Sequence, residues 1–215
     1  MIDFSQMTDF TSTFKFKDNI VFLDVDGVLN GYNRWNTLGW DIVCKFNSKK
    51  LINWYRELTD PCGVHEKKVK LLAKIVHKAR AKVVMSSTWR HSYWKFVNGE
   101  SDYNIDRVKK LADLFNKYNI EVIGITPRIQ NHGRDSEIVQ WLSQHEDEVE
   151  NFIILDDENS FMKCFWDDER FIQTSEVPKG IVIKGFDCED TGLKRKHVKK
   201  AIKILNRKIN NKEVI

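Results

Sequence analysis

The chain has no stretch of about 20 consecutive apolar residues, so nothing in it reads as a membrane span. Its four cysteines, Cys44, Cys62, Cys164 and Cys188, are scattered, with no CxxC pair and no zinc-site spacing. That pattern argues against a disulfide scaffold and a structural zinc, and we expect reduced thiols in a cytoplasmic protein. The stretch from Met1 to Asp18 lacks the basic-then-apolar layout of a secretory leader. There is no internal repeat and no low-complexity linker. Acids are missing from one region: Lys194 to Lys212 carries nine Lys or Arg and no Asp or Glu, leaving 26 bases against 31 acids elsewhere.

What remains is the composition of a folded globule. Hydrophobic residues make up 41% of the 215 and charged residues 31%, enough apolar surface to form a core rather than stay disordered. The length fits one domain over 1–215, with room for a small insertion. Near the end, Val198, Ala201, Ile202, Leu205 and Ile209 recur at helical spacing. We therefore expect a basic helix over 193–212 with one face on the core. Its lysines suit a nucleic-acid surface, and equally a solvated outer face.

Short runs rich in Val and Ile mark strands at Ile20–Leu23, Lys82–Met85, Glu121–Ile125, Phe152–Leu155 and Ile181–Lys184. Amphipathic helical patterns over Glu66–Ala79, Ile105–Tyr118 and Asp135–His145 lie between most of them. Alternation of this kind predicts an α/β fold: a three-layer, Rossmann-like parallel sheet of about five strands with helices on both faces. Two aromatic-rich segments interrupt it. Residues 30–62 contain Trp35, Trp40, Trp54 and Tyr55, and Trp89–Tyr103 contains Trp94 as well. Both follow strands that end in polar residues, so we expect them to roof one crevice, with 30–62 as a small cap or flap.

The strand ends carry the chemistry. Ile20–Leu23 runs directly into Asp24-Val25-Asp26-Gly27, and ionised carboxylates at the end of a buried strand are costly unless something offsets them. Val83–Met85 runs into Ser86-Ser87-Thr88-Trp89-Arg90, whose hydroxyls and freed amides suit phosphate oxygens. Phe152–Leu155 runs into Asp156-Asp157. Hard carboxylate oxygens on two turns suit Mg²⁺ together with a substrate phosphate. Arg134 opens a helix shortly before the last strand, where a guanidinium can meet a phosphoryl oxygen.

An acid pair, a hydroxyl, a cation and a second acid pair, in that order and each at an element boundary, resemble the haloacid dehalogenase (HAD) superfamily of phosphohydrolases. Asp24 and Asp26 match its DxDGx motif, Ser86 its second motif, and Asp156 with Asp157 its last. For the usual lysine of the third motif we place Arg134, with Arg128 and Lys163 as alternatives. A narrower likeness runs through Ser86–Arg90, Gly133-Arg134 with Glu137-Ile138 and Trp141-Leu142, Leu155–Asp157, and Thr191-Gly192-Leu193. These runs are similar to the phosphatase module of some bacterial and phage RNA-repair proteins.

The resemblance implies a Mg²⁺-dependent phosphoric monoester hydrolase working through an aspartyl phosphate. Asp24 is then the nucleophile and Asp26 the general acid and base, with Ser86 and Arg134 on the phosphoryl oxygens. The metal set is Asp24, Asp156 and Asp157 with the main-chain carbonyl of Asp26. Ser87, Thr88, Arg90, Trp35 and Trp89 are the candidate substrate contacts. The implied partner is a nucleotide or an RNA or DNA end, with a small phosphorylated metabolite as the alternative and no membrane. A receiver-like signalling domain fits less well, because Glu121–Ile125 ends in Thr126-Pro127 with no acid to phosphorylate. A non-catalytic binding module would not need every one of these positions filled.

Overall fold

The computed structural model describes residues 17–30, 63–100, 105–159, 162–174 and 192–207. Ten elements follow in order: β1 (Asp18–Leu23), α1 (Glu66–Ala79), β2 (Ala81–Met85), α2 (Arg90–Val97), α3 (Ile105–Lys117), β3 (Val122–Ile125), α4 (Arg134–Gln144), β4 (Val149–Asp156), β5 (Phe171–Gln173) and α5 (Arg195–Leu205). The strands form one sheet of order β3-β2-β1-β4-β5, parallel throughout. This is the expected Rossmann-like α/β architecture.

Successive strand residues point to opposite faces, and both faces here are covered. Val21, Leu23, Val83, Met85, Ile153 and Leu155 pack under α1, α3 and α5, with Trp89 and Tyr93 in the same core. Ile20, Phe22, Val84, Phe152 and Ile154 face the other way, against Ile138 and Trp141 of α4 and against Met162 and Phe165. Burial on both sides is why β1 and β4 read as continuous apolar runs. Among the described residues no helix is long and apolar enough to cross a membrane.

Two differences from expectation are informative. The fifth described strand is Phe171–Gln173, only three residues long and hydrogen-bonded to the end of β4. The expected strand at Ile181–Lys184 lies outside the described residues, as do 31–62 with Trp35 and Trp40, and also Cys44, Cys62 and Cys188. Secondly, the segment after Trp89 contains a helix, α2. The described part of the basic C-terminal region is helical over Arg195–Leu205, with Val198, Ala201, Ile204 and Leu205 buried. One of its lysines is occupied locally: Lys200 donates to the Phe171 carbonyl.

Candidate active site

Sheet register alone brings the strand ends together. Leu23 sits opposite Met85 on one side and Leu155 on the other. One further ladder bond extends each pairing: Asp24 N–H donates to Leu155 O at 2.9 Å and Ser86 N–H to Leu23 O at 3.0 Å. Asp24, Ser86 and Asp156 are therefore neighbours at the carboxyl edge of three adjacent strands. The carboxyl edge is where open parallel sheets bind ligands.

The acids there form a trio. Asp24, Asp156 and Asp157 each bring one carboxylate oxygen within 4.8 Å of the others. Burial, reinforced by the Asp156 charge, pushes the Asp24 carboxyl up to about 7. Burial and the same neighbour push Asp157 up to about 6, and burial also raises Asp156. Like charges crowded out of water resist ionisation. One cation moderates them: Arg134 Nη1 lies 3.2 Å from Asp24 Oδ2 and bonds Asp156 Oδ2. Burial works against the charge on Arg134, but Asp24 and Asp156 outweigh it and hold the guanidinium protonated. Arg128 and Lys163, the alternatives for this position, are exposed.

Oxygen donors of this type and number fit Mg²⁺, which takes one or a few carboxylates and keeps waters and substrate oxygens for the rest. Asp157, expected in the metal set, contributes an oxygen to the trio. The side chain of Asp26 turns elsewhere. Its Oδ1 accepts from Asn30 Nδ2 at 2.8 Å and its Oδ2 from the Trp89 indole N–H at 2.9 Å. The Asp26 carboxylate is not part of the trio, and its main-chain carbonyl is the group the motif implies as a metal ligand.

A tight turn makes this geometry possible. Gly27 has φ +68°, and a Cβ on it would fall 2.2 Å from the Asp157 carboxylate carbon. Any side chain there would displace Asp157. Asn30 Oδ1 accepts from Gly27 N–H, and the buried Thr174 hydroxyl donates to Gly27 O. Gly192, with φ +78°, packs against the same turn, where a Cβ would lie 2.8 Å from Val28 O.

The hydroxyl segment divides into separate roles. Ser86 Oγ is buried and has no partner among the described residues. Ser87 is also buried; its hydroxyl bonds Asp24 and accepts from Trp89 N–H. Thr88 is exposed beside Asp26. Arg90, expected on the substrate, is placed otherwise. It is 6% exposed and donates to the carbonyls of Ser86, Ser87 and Thr126 and, at 2.9 Å, to both oxygens of Glu137. It ties the loops after β2 and β3 to the first turn of α4. Reading the sequence gave no role to Asn30 or Thr174, and it quoted Glu137 in the likeness without its Arg90 partner. Asn30 left a local signal, an Asn four residues after an Asp in a Gly turn, whereas the other two depend on distant partners.

A parallel sheet with acids on a central strand, a buried hydroxyl on one neighbour and a second acid pair on the other defines the HAD class. The chain belongs to the family described as the HAD domain in Swiss Army Knife RNA repair proteins, whose model matches residues 20–180. No curated protein and no solved structure matches it. The family and the acidic cluster support HAD-type phosphatase chemistry in general.

Proposed function

We propose that this protein hydrolyses a phosphate monoester on a nucleotide or a nucleic-acid end, with Mg²⁺ and through an aspartyl phosphate. The observation carrying this reading is the convergence of Asp24, Arg134 and the acid trio beside a buried, unpartnered Ser86 hydroxyl. The family's RNA-repair setting supports the nucleotide class of substrate.

Mg²⁺, held by Asp24, Asp156, Asp157 and the Asp26 carbonyl, would supply charge neutralisation for the incoming dianion. Asp24 attacks phosphorus, the bond to the leaving oxygen breaks, and Asp26 gives that oxygen a proton. Water then attacks phosphorus, loses its proton to Asp26, and releases phosphate and free Asp24. Ser86 Oγ and Arg134 donate to the equatorial oxygens as charge redistributes. Ser87 fixes the Asp24 carboxylate, while Asn30 and Trp89 aim Asp26.

The test is Mg²⁺-dependent phosphate release across nucleotides, sugar phosphates and end-phosphorylated oligonucleotides. Asp24→Asn should lose at least about a thousandfold in kcat, with a Tm unchanged or raised because one buried charge is gone. Turnover retained in that variant would remove Asp24 as nucleophile. A wild type faster on sugar phosphates than on any nucleotide would reassign the substrate.

A further inference from the structure

Asp26 faces a cavity that the phosphoryl site does not use. Its volume is about 220 Å³, and its other lining residues are Thr88, Trp89, Ser92, Arg107 and Val108. Sites for complete small molecules usually enclose about 300–1,000 Å³, so this one suits part of a ligand, such as a sugar or one phosphate. Its position decides which part. If Asp26 protonates the leaving oxygen, the alcohol that departs must lie on the Asp26 side.

Arg107 sets the chemistry of that side. Its guanidinium carbon lies 4.2 Å from the centre of the Trp89 ring, and the same indole donates to Asp26 Oδ2. A guanidinium held over an indole face keeps N–H donors available to a ligand, and Arg107 is exposed. Among the described residues no carboxylate or carbonyl takes those donors. A guanidinium with no acceptor among the described residues, beside the Thr88 and Ser92 hydroxyls, is suited to a second anion.

We infer that the Trp89–Arg107 cavity binds a second phosphate carried by the leaving alcohol, either a diester linkage or another monoester. The inference rests on the phosphatase reading above and adds a specificity determinant to it. Arg107 is a binding residue here and takes no part in bond making.

The experiment compares kcat/KM for nucleoside 3′- and 5′-monophosphates, the 3′,5′-bisphosphate, dinucleotides phosphorylated at either end, and p-nitrophenyl phosphate. Wild type should favour substrates with a second phosphate over the monophosphates by about tenfold or more. Arg107→Ala should lower kcat/KM for those substrates about tenfold more than for p-nitrophenyl phosphate, and Arg107→Lys should recover part of the difference. A gain confined to dinucleotides identifies a diester, and one confined to the bisphosphate a second monoester. Equal wild-type rates with and without the second phosphate would overturn the proposal. So would an Arg107→Ala loss of the same size on every substrate, which would make Arg107 a prop for Trp89. Calorimetry of a nucleoside monophosphate product, wild type against Arg107→Ala, separates this proposal from the reading beneath it. Arg107-dependent binding without turnover on any substrate sinks the phosphatase alone; binding indifferent to Arg107 sinks the second-phosphate site.

Discussion

A buried hydroxyl with nothing to bond costs stability in an ordinary core. Ser86 Oγ is such a group, fully buried at the edge of the sheet. If its partner is a phosphoryl oxygen, its removal costs catalysis and not folding. Ser86→Ala should therefore keep its stability within about 1 kcal/mol by urea denaturation. Phosphate release should fall about a hundredfold, as when one donor to a developing anion is lost. A large stability loss with turnover intact would make Ser86 a structural residue. At this scale the sequence was most informative. Asp24, Asp26, Ser86, Arg134 and Asp156 stand where apolar runs or helices begin or end, and their types limit what they can do there. Arg90 shows the limit of that reading. A guanidinium after a Ser-Ser-Thr turn looks like a phosphate ligand until Glu137, 47 residues on, takes Nη2 with both carboxylate oxygens while main-chain carbonyls take Nε and Nη1.

Elements hold the site through that pair. Arg90 opens α2 and Glu137 lies in the first turn of α4, three residues after Arg134. The salt bridge spans 2.9 Å with side chains 7% and 9% exposed. Removing one partner of such a pair leaves the other charged and buried. Glu137→Ala should thus cost about 3–5 kcal/mol, measured by urea denaturation, and loosen the start of α4 where Arg134 is rooted. A cost below about 1 kcal/mol would show that the pair contributes little. The legible elements were those with a clear period or an apolar run: β1, β2, β3, β4, α1, α3 and α4. β5 escaped because three residues carry no period; pairing with Ile154–Asp156 makes Phe171–Gln173 a strand. α2 escaped because only Arg90 and Tyr93 of its eight residues are buried, which leaves no apolar stripe to read.

For the whole molecule, the acid trio ties stability to pH. Unfolded aspartates titrate near about 4, whereas Asp24 does so at about 7 and Asp157 at about 6 in the fold. Between those limits the folded chain keeps protons that the unfolded chain has released. The metal-free protein should therefore lose stability as pH rises from about 4 to about 7 and level off above. Mg²⁺ needs the ionised carboxylates, so its effect runs the other way. At a hundredfold excess over Kd it should add about 2.7 kcal/mol, roughly 5–10 °C in Tm for a chain of this size. That gain should be large at pH 8, small at pH 5, and much reduced in Asp24→Asn. A thermal shift that ignores both pH and Asp24 would show the ion binding elsewhere.

The strand order has a consequence for synthesis. β1 emerges early, yet its two neighbours are β2, some sixty residues later, and β4, which is not complete until Asp156. A nascent chain on the ribosome holds Asp24 long before it holds the second acid turn. Until Asp157 clears the exit tunnel the three carboxylates cannot meet, so a shorter nascent chain carries Asp24 without its two acidic neighbours.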